Sequence, residues 1–296
     1  MRRITFDRFP GGRFKALTLN YDDGVSEDRR LVELLNAHGM RGTFNLNSCS
    51  LDQPGHLRRD EIRGLFAGHE VAAHTASHPN LRFVPPDWMA REILDNRRDL
   101  ERLVGYPVRG LAYPYGQMDD RVMSVLPSVG IAYARMTSMV PDLRMPDNFL
   151  RWQPTCRDSG DLIGCARSFT GAGPSQRGLI LCVWGHTWEI ERKGYWPVME
   201  DFCALAGGRS DTWYATCLEI ADYVEATRRM RCSVDGRLLH NPSSIPIHAS
   251  SGSEEIVIAP GQTLDLGEER ETGFSPLPPL TPQASANSHP PGAAPR

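Results

Sequence analysis

Two short clusters in this 296-residue chain pair residue types that hydrolysis needs. The first is Asp22-Asp23-Gly24, two adjacent carboxylates closing a short apolar run. By itself this is also how an ordinary Asp-Gly hairpin turn reads. The second lies about fifty residues on, in His74-Thr75-Ala76-Ser77-His78, where a spacing of four lets one helical turn or a tight loop point both imidazoles the same way. Two imidazoles and one Asp oxygen make a three-donor set with coordination positions left open, the pattern of a catalytic rather than a structural Zn2+ site. Taken singly, surface His and Asp residues more often do nothing than bind metal, and it is the pairing of the two clusters that carries the reading.

The elements that must hold these residues are legible as alternating short apolar runs and amphipathic stretches from Phe14 to about Met230, the pattern of β-α repeats around a parallel sheet. Strands are predicted over Phe14 to Leu19, Gly42 to Asn47, Glu70 to Ala73, Val108 to Tyr113, Ile131 to Arg135, Gly178 to Trp184 and Trp213 to Ala215. Helices are predicted between them, most clearly from Pro85 to Val104, with Pro at the start, Gly105 past the end and Ile93, Leu100 and Leu103 among charges. Roughly seven or eight such units are an α/β barrel. Asp22, Asp23, His74, His78, Tyr115 and His186 all follow predicted strands, so they are expected on one face, at the carboxyl ends where barrels of this kind carry their chemistry.

Composition narrows the partners. Net charge is −3, the sequence pI is about 6.3 and no basic run breaks the mixture of signs, which argues against nucleic acid and anionic membrane. No window approaches the ~18 consecutive apolar residues of a membrane span. The seven cysteines lack CxxC spacing and read as reduced core thiols; Asp7, Pro10 and Gly11-Gly12 interrupt the place of a secretion signal, and together these point to a cytoplasmic address. The chain divides into a barrel over 1–230, a short β extension over 231–266, and a Pro-rich tail over 267–296 expected to be disordered. Oligomeric state is not legible.

Read together, Thr18-Leu19-Asn20-Tyr21-Asp22-Asp23-Gly24, His74-Thr75-Ala76-Ser77-His78, Ala112-Tyr113-Pro114-Tyr115-Gly116 and the His186 after Ile180-Leu181-Cys182-Val183-Trp184-Gly185 resemble the ordered motifs of the polysaccharide deacetylase family, also called NodB-homology or carbohydrate esterase family four. They look closest to its gellan-lyase-like branch. The resemblance implies a distorted (β/α) barrel of about seven units and a metal-dependent hydrolase that removes N-acetyl groups from an acetylated amino sugar, oligosaccharide or polysaccharide. It makes Asp22 the base, Asp23, His74 and His78 the ligands of a divalent metal, Tyr115 an oxyanion donor through its main-chain N–H, and His186 the general acid. Thr75 would help hold the loop, Leu181, Trp184 and Trp188 would form the wall that receives the acetyl methyl, and Tyr21 would be a further substrate-binding residue. Zn2+ is the first choice of metal, with Co2+, Ni2+ or Mn2+ compatible with the same donors.

One position departs from the family pattern: Ala112 stands where its third motif usually has an Arg that pairs with the base. The fourth motif reads as Arg151-Trp152, so Arg151, or else Arg135, is expected to supply the missing cation beside Asp22. The alternatives within hydrolysis are an O-acetyl sugar esterase and a hydrolase of a small non-sugar amide or imide. A zincin peptidase is disfavoured by Thr75 where its Glu would stand. The β-α alternation disfavours a non-haem iron oxygenase, and intact Asp22 and His186 disfavour a non-catalytic sugar-binding barrel.

Overall fold

The computed structural model describes residues 4–267 apart from 174 and 253, so the expected tail lies, but for Gly267, outside the described residues. Its longest strand, β1 (Lys15–Asp22), is buried at every position and stands at the middle of a parallel sheet. On one side follow β2 (Gly42–Leu46), β3 (Glu70–Ala73), β4 (Gly110–Ala112) and β5 (Tyr133–Arg135), each parallel to the last. On the other side β7 (Leu179–Gly185) pairs with β1, and β6 (Cys156–Arg157) with β7. An eighth strand, β8 (Thr212–Tyr214), pairs with the first three residues of β1. Trp152 makes a parallel bridge to Arg135, and the Thr155 N–H donates to the Cys182 carbonyl at 2.8 Å. The segment from Trp152 to Arg157 thus spans the two sheet edges and closes a distorted barrel, as the sequence pattern implied.

Side chains alternate along β1 with the period of two that extended backbone imposes. Leu17, Leu19 and Tyr21 join a core with Leu31 and Leu35 of α1 (Asp28–Ala37), Ile93 and Leu100 of α2 (Pro86–Val104), and Phe169 of α3 (Leu162–Gly171). Each such buried side chain is worth about 1.5–3 kcal/mol relative to exposure. Thr18, Asn20 and Asp22 turn the other way, into an interior that is unusually polar. There the Asn45 amide donates to Asn20 Oδ1 at 2.6 Å, Asn20 Nδ2 donates to Cys217 Sγ at 3.2 Å, and Thr43 and Tyr133 both donate to the Glu70 carboxyl at 2.9 Å. These bonds explain why β1 runs on to Asp22 instead of stopping at Leu19: its polar residues are satisfied inside the barrel and do not end the strand.

Two helices fall outside the predicted series, α4 (Thr187–Lys193), which begins directly after His186, and α5 (Trp196–Ala206), which buries Met199 and Phe202. Aromatics and Pro197 at the start of α5 mask its periodicity in the sequence. The last barrel helix, α6 (Cys217–Arg228), starts in a capping box in which Thr216 and Glu219 satisfy each other's main-chain N–H groups. Beyond it, short antiparallel strands form two three-stranded sheets, one of which takes in Ile4–Thr5 from the N-terminus. All seven cysteines are free, but Cys49 and Cys232 are exposed and are not core thiols. No helix among the described residues is long and apolar enough to cross a membrane.

Candidate active site

Asp22 is the last residue of β1 and is almost wholly buried. Its Oδ1 accepts from Asn45 Nδ2 at 2.8 Å and from the Arg135 guanidinium, and Arg135, with no exposed surface, also donates through Nε to Asn20 Oδ1 at 2.8 Å. Burial pushes the Asp22 carboxyl up, but Arg135, with His74 and His186, more than offsets it and holds the group down at about 2. Asp22 is therefore an anion at every physiological pH, with Oδ2 left free of the Arg135 pair.

Asp23 leaves the strand with a left-handed φ of 84°, and Gly24 follows at 68°, where an added Cβ would lie 2.9 Å from Leu46 Cδ2. That reversal throws the two carboxylates apart. His74 follows β3 directly and is held at three points: its N–H donates to Asn96 Oδ1 at 3.0 Å, its carbonyl accepts from Asn47 Nδ2, and its Nδ1 lies 2.8 Å from the Ala112 carbonyl. An Nδ1–H donated to that carbonyl turns an unprotonated Nε2 to the cavity. The His78 N–H donates to Thr75 Oγ1 at 3.1 Å, so Thr75 ties the loop between the two histidines.

Three donor atoms converge as a result. His74 Nε2 and His78 Nε2 are 3.1 Å apart, and Asp23 Oδ1 lies 3.7 Å from the first and 4.0 Å from the second. Burial and the neighbouring His74 hold His78 below the usual histidine range, which keeps its lone pair available at neutral pH. Two imidazole nitrogens this close, with a carboxylate oxygen opposite, fit a divalent cation: among the described residues this is the one group of three or more His, Cys, Asp or Glu side chains so placed.

His186 follows β7, with Nε2 at 3.8 Å from Asp22 Oδ2 and 3.9 Å from Asp23 Oδ2 and Nδ1 at 3.6 Å from Glu189 Oε1. An added Cβ on the preceding Gly185 would sit 2.0 Å from Asp158 Oδ2, so only glycine lets the strand end approach that carboxyl. Behind His186 the Trp184 ring carries the guanidinium carbons of Arg135 at 4.9 Å and Arg157 at 4.8 Å. The cavity over these groups measures about 500 Å3 and is walled by Tyr113, Tyr115, Met139, Trp184 and Trp188. Of five non-glycine residues with left-handed φ among the described residues, Asp23, His78 and Tyr115 border it, while Thr75 lies buried between the two histidines and Asp52 stands apart. Backbone strain of this kind costs on the order of 1–3 kcal/mol per residue and gathers where a site over-determines its loops.

A family model described as polysaccharide deacetylase matches residues 10–134, the span that delivers Asp22, Asp23, His74, His78 and Tyr115. Over that span the chain is similar to the polysaccharide deacetylase family. It is 31% identical over 114 residues to a peptidoglycan-N-acetylglucosamine deacetylase of Bacillus cereus, covering 37% of this chain and 40% of that protein. It is 29% identical over 121 residues to a chitooligosaccharide deacetylase of Sinorhizobium fredii, covering 40% of this chain and 54% of that protein. The chain thus spans about half the length of these curated relatives or less. A solved Mycobacterium smegmatis structure assigned to polysaccharide deacetylases superposes with a TM-score of 0.58 over 76% of this chain and 96% of that one, at 20% identity, which is a likeness of fold.

Against the expectations drawn from that resemblance, three residues stand elsewhere. Arg151 is not beside Asp22: it ends an exposed 3-10 turn and pairs with the surface carboxylate of Asp120, whereas the next residue, Trp152, turns inward. Arg135 occupies that place, and the register explains it, since Arg135 is the direct neighbour of Ala112 on the adjacent strand. Tyr21 points away from the cavity into the helix-covered core, its hydroxyl 3.6 Å from Met199 Sδ. Leu181 has the same outward parity on β7 and packs in that core. Trp184 and Trp188 do line the cavity. The asparagines at 45, 47 and 96, which lock Asp22 and His74, were not singled out from the sequence; Asn45 and Asn47 lie in a predicted strand, where Asn is depleted and is itself a signal, whereas Asn96 lies in the long helix and carries no such signal.

Proposed function

We propose that this protein is a metal-dependent hydrolase that removes the acetyl group from the nitrogen of an acetylated amino sugar within a carbohydrate substrate. The observation that carries the reading is the meeting of Asp22, Asp23, His74, His78 and His186 from three separate strand ends in one aromatic-walled cavity. Asp23 Oδ1, His74 Nε2 and His78 Nε2 would hold the divalent cation, Zn2+ by donor type. When bound there, it supplies Lewis acidity toward the acetyl carbonyl and the attacking water.

The chain's own residues do the rest. Asp22, kept ionised and oriented by Arg135 and Asn45, takes the proton from water through its free Oδ2. The main-chain N–H of Tyr115, whose ring packs 4.6 Å from that of His78, donates to the developing oxyanion. His186, whose Nε2 faces two carboxylates, would be the acid that passes a proton to the departing sugar nitrogen. Its Nε2 approaches Asp22 Oδ2 to 3.8 Å, so base and acid both reach the same part of the cavity. The rings of Trp184 and Trp188 offer flat apolar faces to the acetyl methyl and the sugar.

The deciding assay incubates the protein with N-acetylglucosamine oligomers of defined length and measures acetate and free amine together, with and without chelator. Equal acetate and amine, abolished by chelator and restored by Zn2+, is the expected result. Acetate without amine from an O-acetylated sugar would mark an esterase instead, and activity indifferent to chelator would refute the metal-dependent reading.

A further inference from the structure

We propose that Trp188 is a positioning residue of the metal centre, and that its indole N–H fixes Asp23 so that a single carboxylate oxygen faces the cation. This rests on the reading of Asp23, His74 and His78 as the ligands. Trp188 Nε1 donates to Asp23 Oδ2 at 3.0 Å, while Oδ1 is the oxygen turned to the two histidines. A carboxylate left free can rotate and grip an ion with both oxygens, which fills a coordination position that substrate or water needs. A hydrogen bond on the outer oxygen withdraws it from that role.

The bond is built rather than incidental. Asp23 sits on a left-handed backbone at φ 84°, so its side chain needs a second anchor besides the main-chain bond from its N–H to the Asn45 carbonyl at 3.0 Å. Trp188 is the second residue of α4, and that helix start is tethered by Thr187 Oγ1, which donates to Asp28 Oδ1 at 2.6 Å. One turn on, the Arg192 guanidinium carbon stands 4.8 Å over the indole ring, and the His186 ring packs 5.4 Å away on a tilt. His186 Nε2, which also faces Asp23 Oδ2, stands at 3.9 Å, beyond hydrogen-bond reach. A Phe here would give the cavity the same apolar wall without any N–H. The choice of Trp is thereby explained by Asp23 as well as by substrate.

The test removes the N–H and keeps the ring. Affinity for Zn2+ is measured by competition with a chromophoric chelator, and the visible spectrum of the Co2+-loaded protein is recorded, for wild type, Trp188→Phe and a protein carrying benzothienylalanine at 188, in which sulfur replaces the indole N–H. Weakening of Zn2+ binding by about 10–100-fold in both variants, with weaker Co2+ bands as coordination number rises, is expected. Full affinity and an unchanged spectrum in the benzothienylalanine protein would overturn the inference and leave the ligand reading standing. Failure of wild type itself to bind Zn2+ or Co2+ would overturn both.

Discussion

Replacing Arg135 with Met tests how Asp22 is held. Both partners are buried, Arg135 fully and Asp22 to 3% exposure, so deletion of the guanidinium strands a carboxylate in the barrel interior. Breaking a buried pair from one side costs about 3–5 kcal/mol. The sign with pH follows from Asp22. In the wild type its folded pKa, at about 2, lies below the unfolded ~3.9, so it contributes about 2–3 kcal/mol that is present above pH ~4 and lost as pH falls through 2. Without Arg135 the largest effect opposing burial is gone and His74 and His186 are left to work against it, so the folded value rises and the stabilisation that wild-type Asp22 gains as pH rises is lost. Urea denaturation of the chelator-stripped proteins should therefore show a gap between wild type and Arg135→Met that is small near pH 3 and widens to several kcal/mol by pH 7. Acetate release should fall by about 10²–10⁴-fold as the base loses its orientation. Arg151→Ala, which removes an exposed pair with Asp120, should change stability by less than about 1 kcal/mol and leave turnover intact. A gap that does not grow with pH, or equal harm from Arg151→Ala, would refute the reasoning.

Three further outcomes are expected. Burial pushes the Glu70 carboxyl up to about 8 despite its three hydrogen bonds, so the folded state takes up a proton that the unfolded chain releases above pH ~4.5. Its stabilising effect is complete below that pH and declines by up to about 1.4 kcal/mol per unit until pH 8; thermal melts should show Glu70→Gln losing less stability than wild type across this window, and parallel curves would contradict the assignment. Tyr21→Phe, which loses only a core hydroxyl, should leave KM unchanged and cost about 1 kcal/mol, so a raised KM would return Tyr21 to the substrate wall. His186→Gln should lower kcat by about 10²–10⁴-fold while Zn2+ content stays at the wild-type level, and loss of the metal would make His186 a ligand instead of an acid.

The sequence displayed the candidate site better than its supports. Asp22, Asp23, His74, His78 and His186 were legible because each follows an apolar run, and parallel strands put their carboxyl ends together. Tyr21 and Leu181 were misread against information the sequence holds: with a period of two, Asp22 facing inward forces Tyr21 outward, and Trp184 facing inward forces Leu181 outward. The cation beside Asp22 needed register, since only the pairing of Ala112 with Arg135 shows that the guanidinium comes from the neighbouring strand. Closure of the barrel by Trp152 to Arg157 and the two helices after His186 depend on tertiary contacts that local periodicity does not encode. The pairing of Ile4–Thr5 with Ile247–Ser251 joins chain ends over 240 residues apart, beyond any local signal.

The central claim is that Asp23, His74 and His78 share one divalent cation. Crystals grown with Zn2+, with anomalous diffraction collected on both sides of the zinc absorption edge, test it most directly. A single strong peak touching Asp23 Oδ1, His74 Nε2 and His78 Nε2, absent in crystals of Asp23→Asn, is predicted. No peak between those atoms at saturating Zn2+, or a peak that survives in Asp23→Asn with full occupancy, would contradict the account.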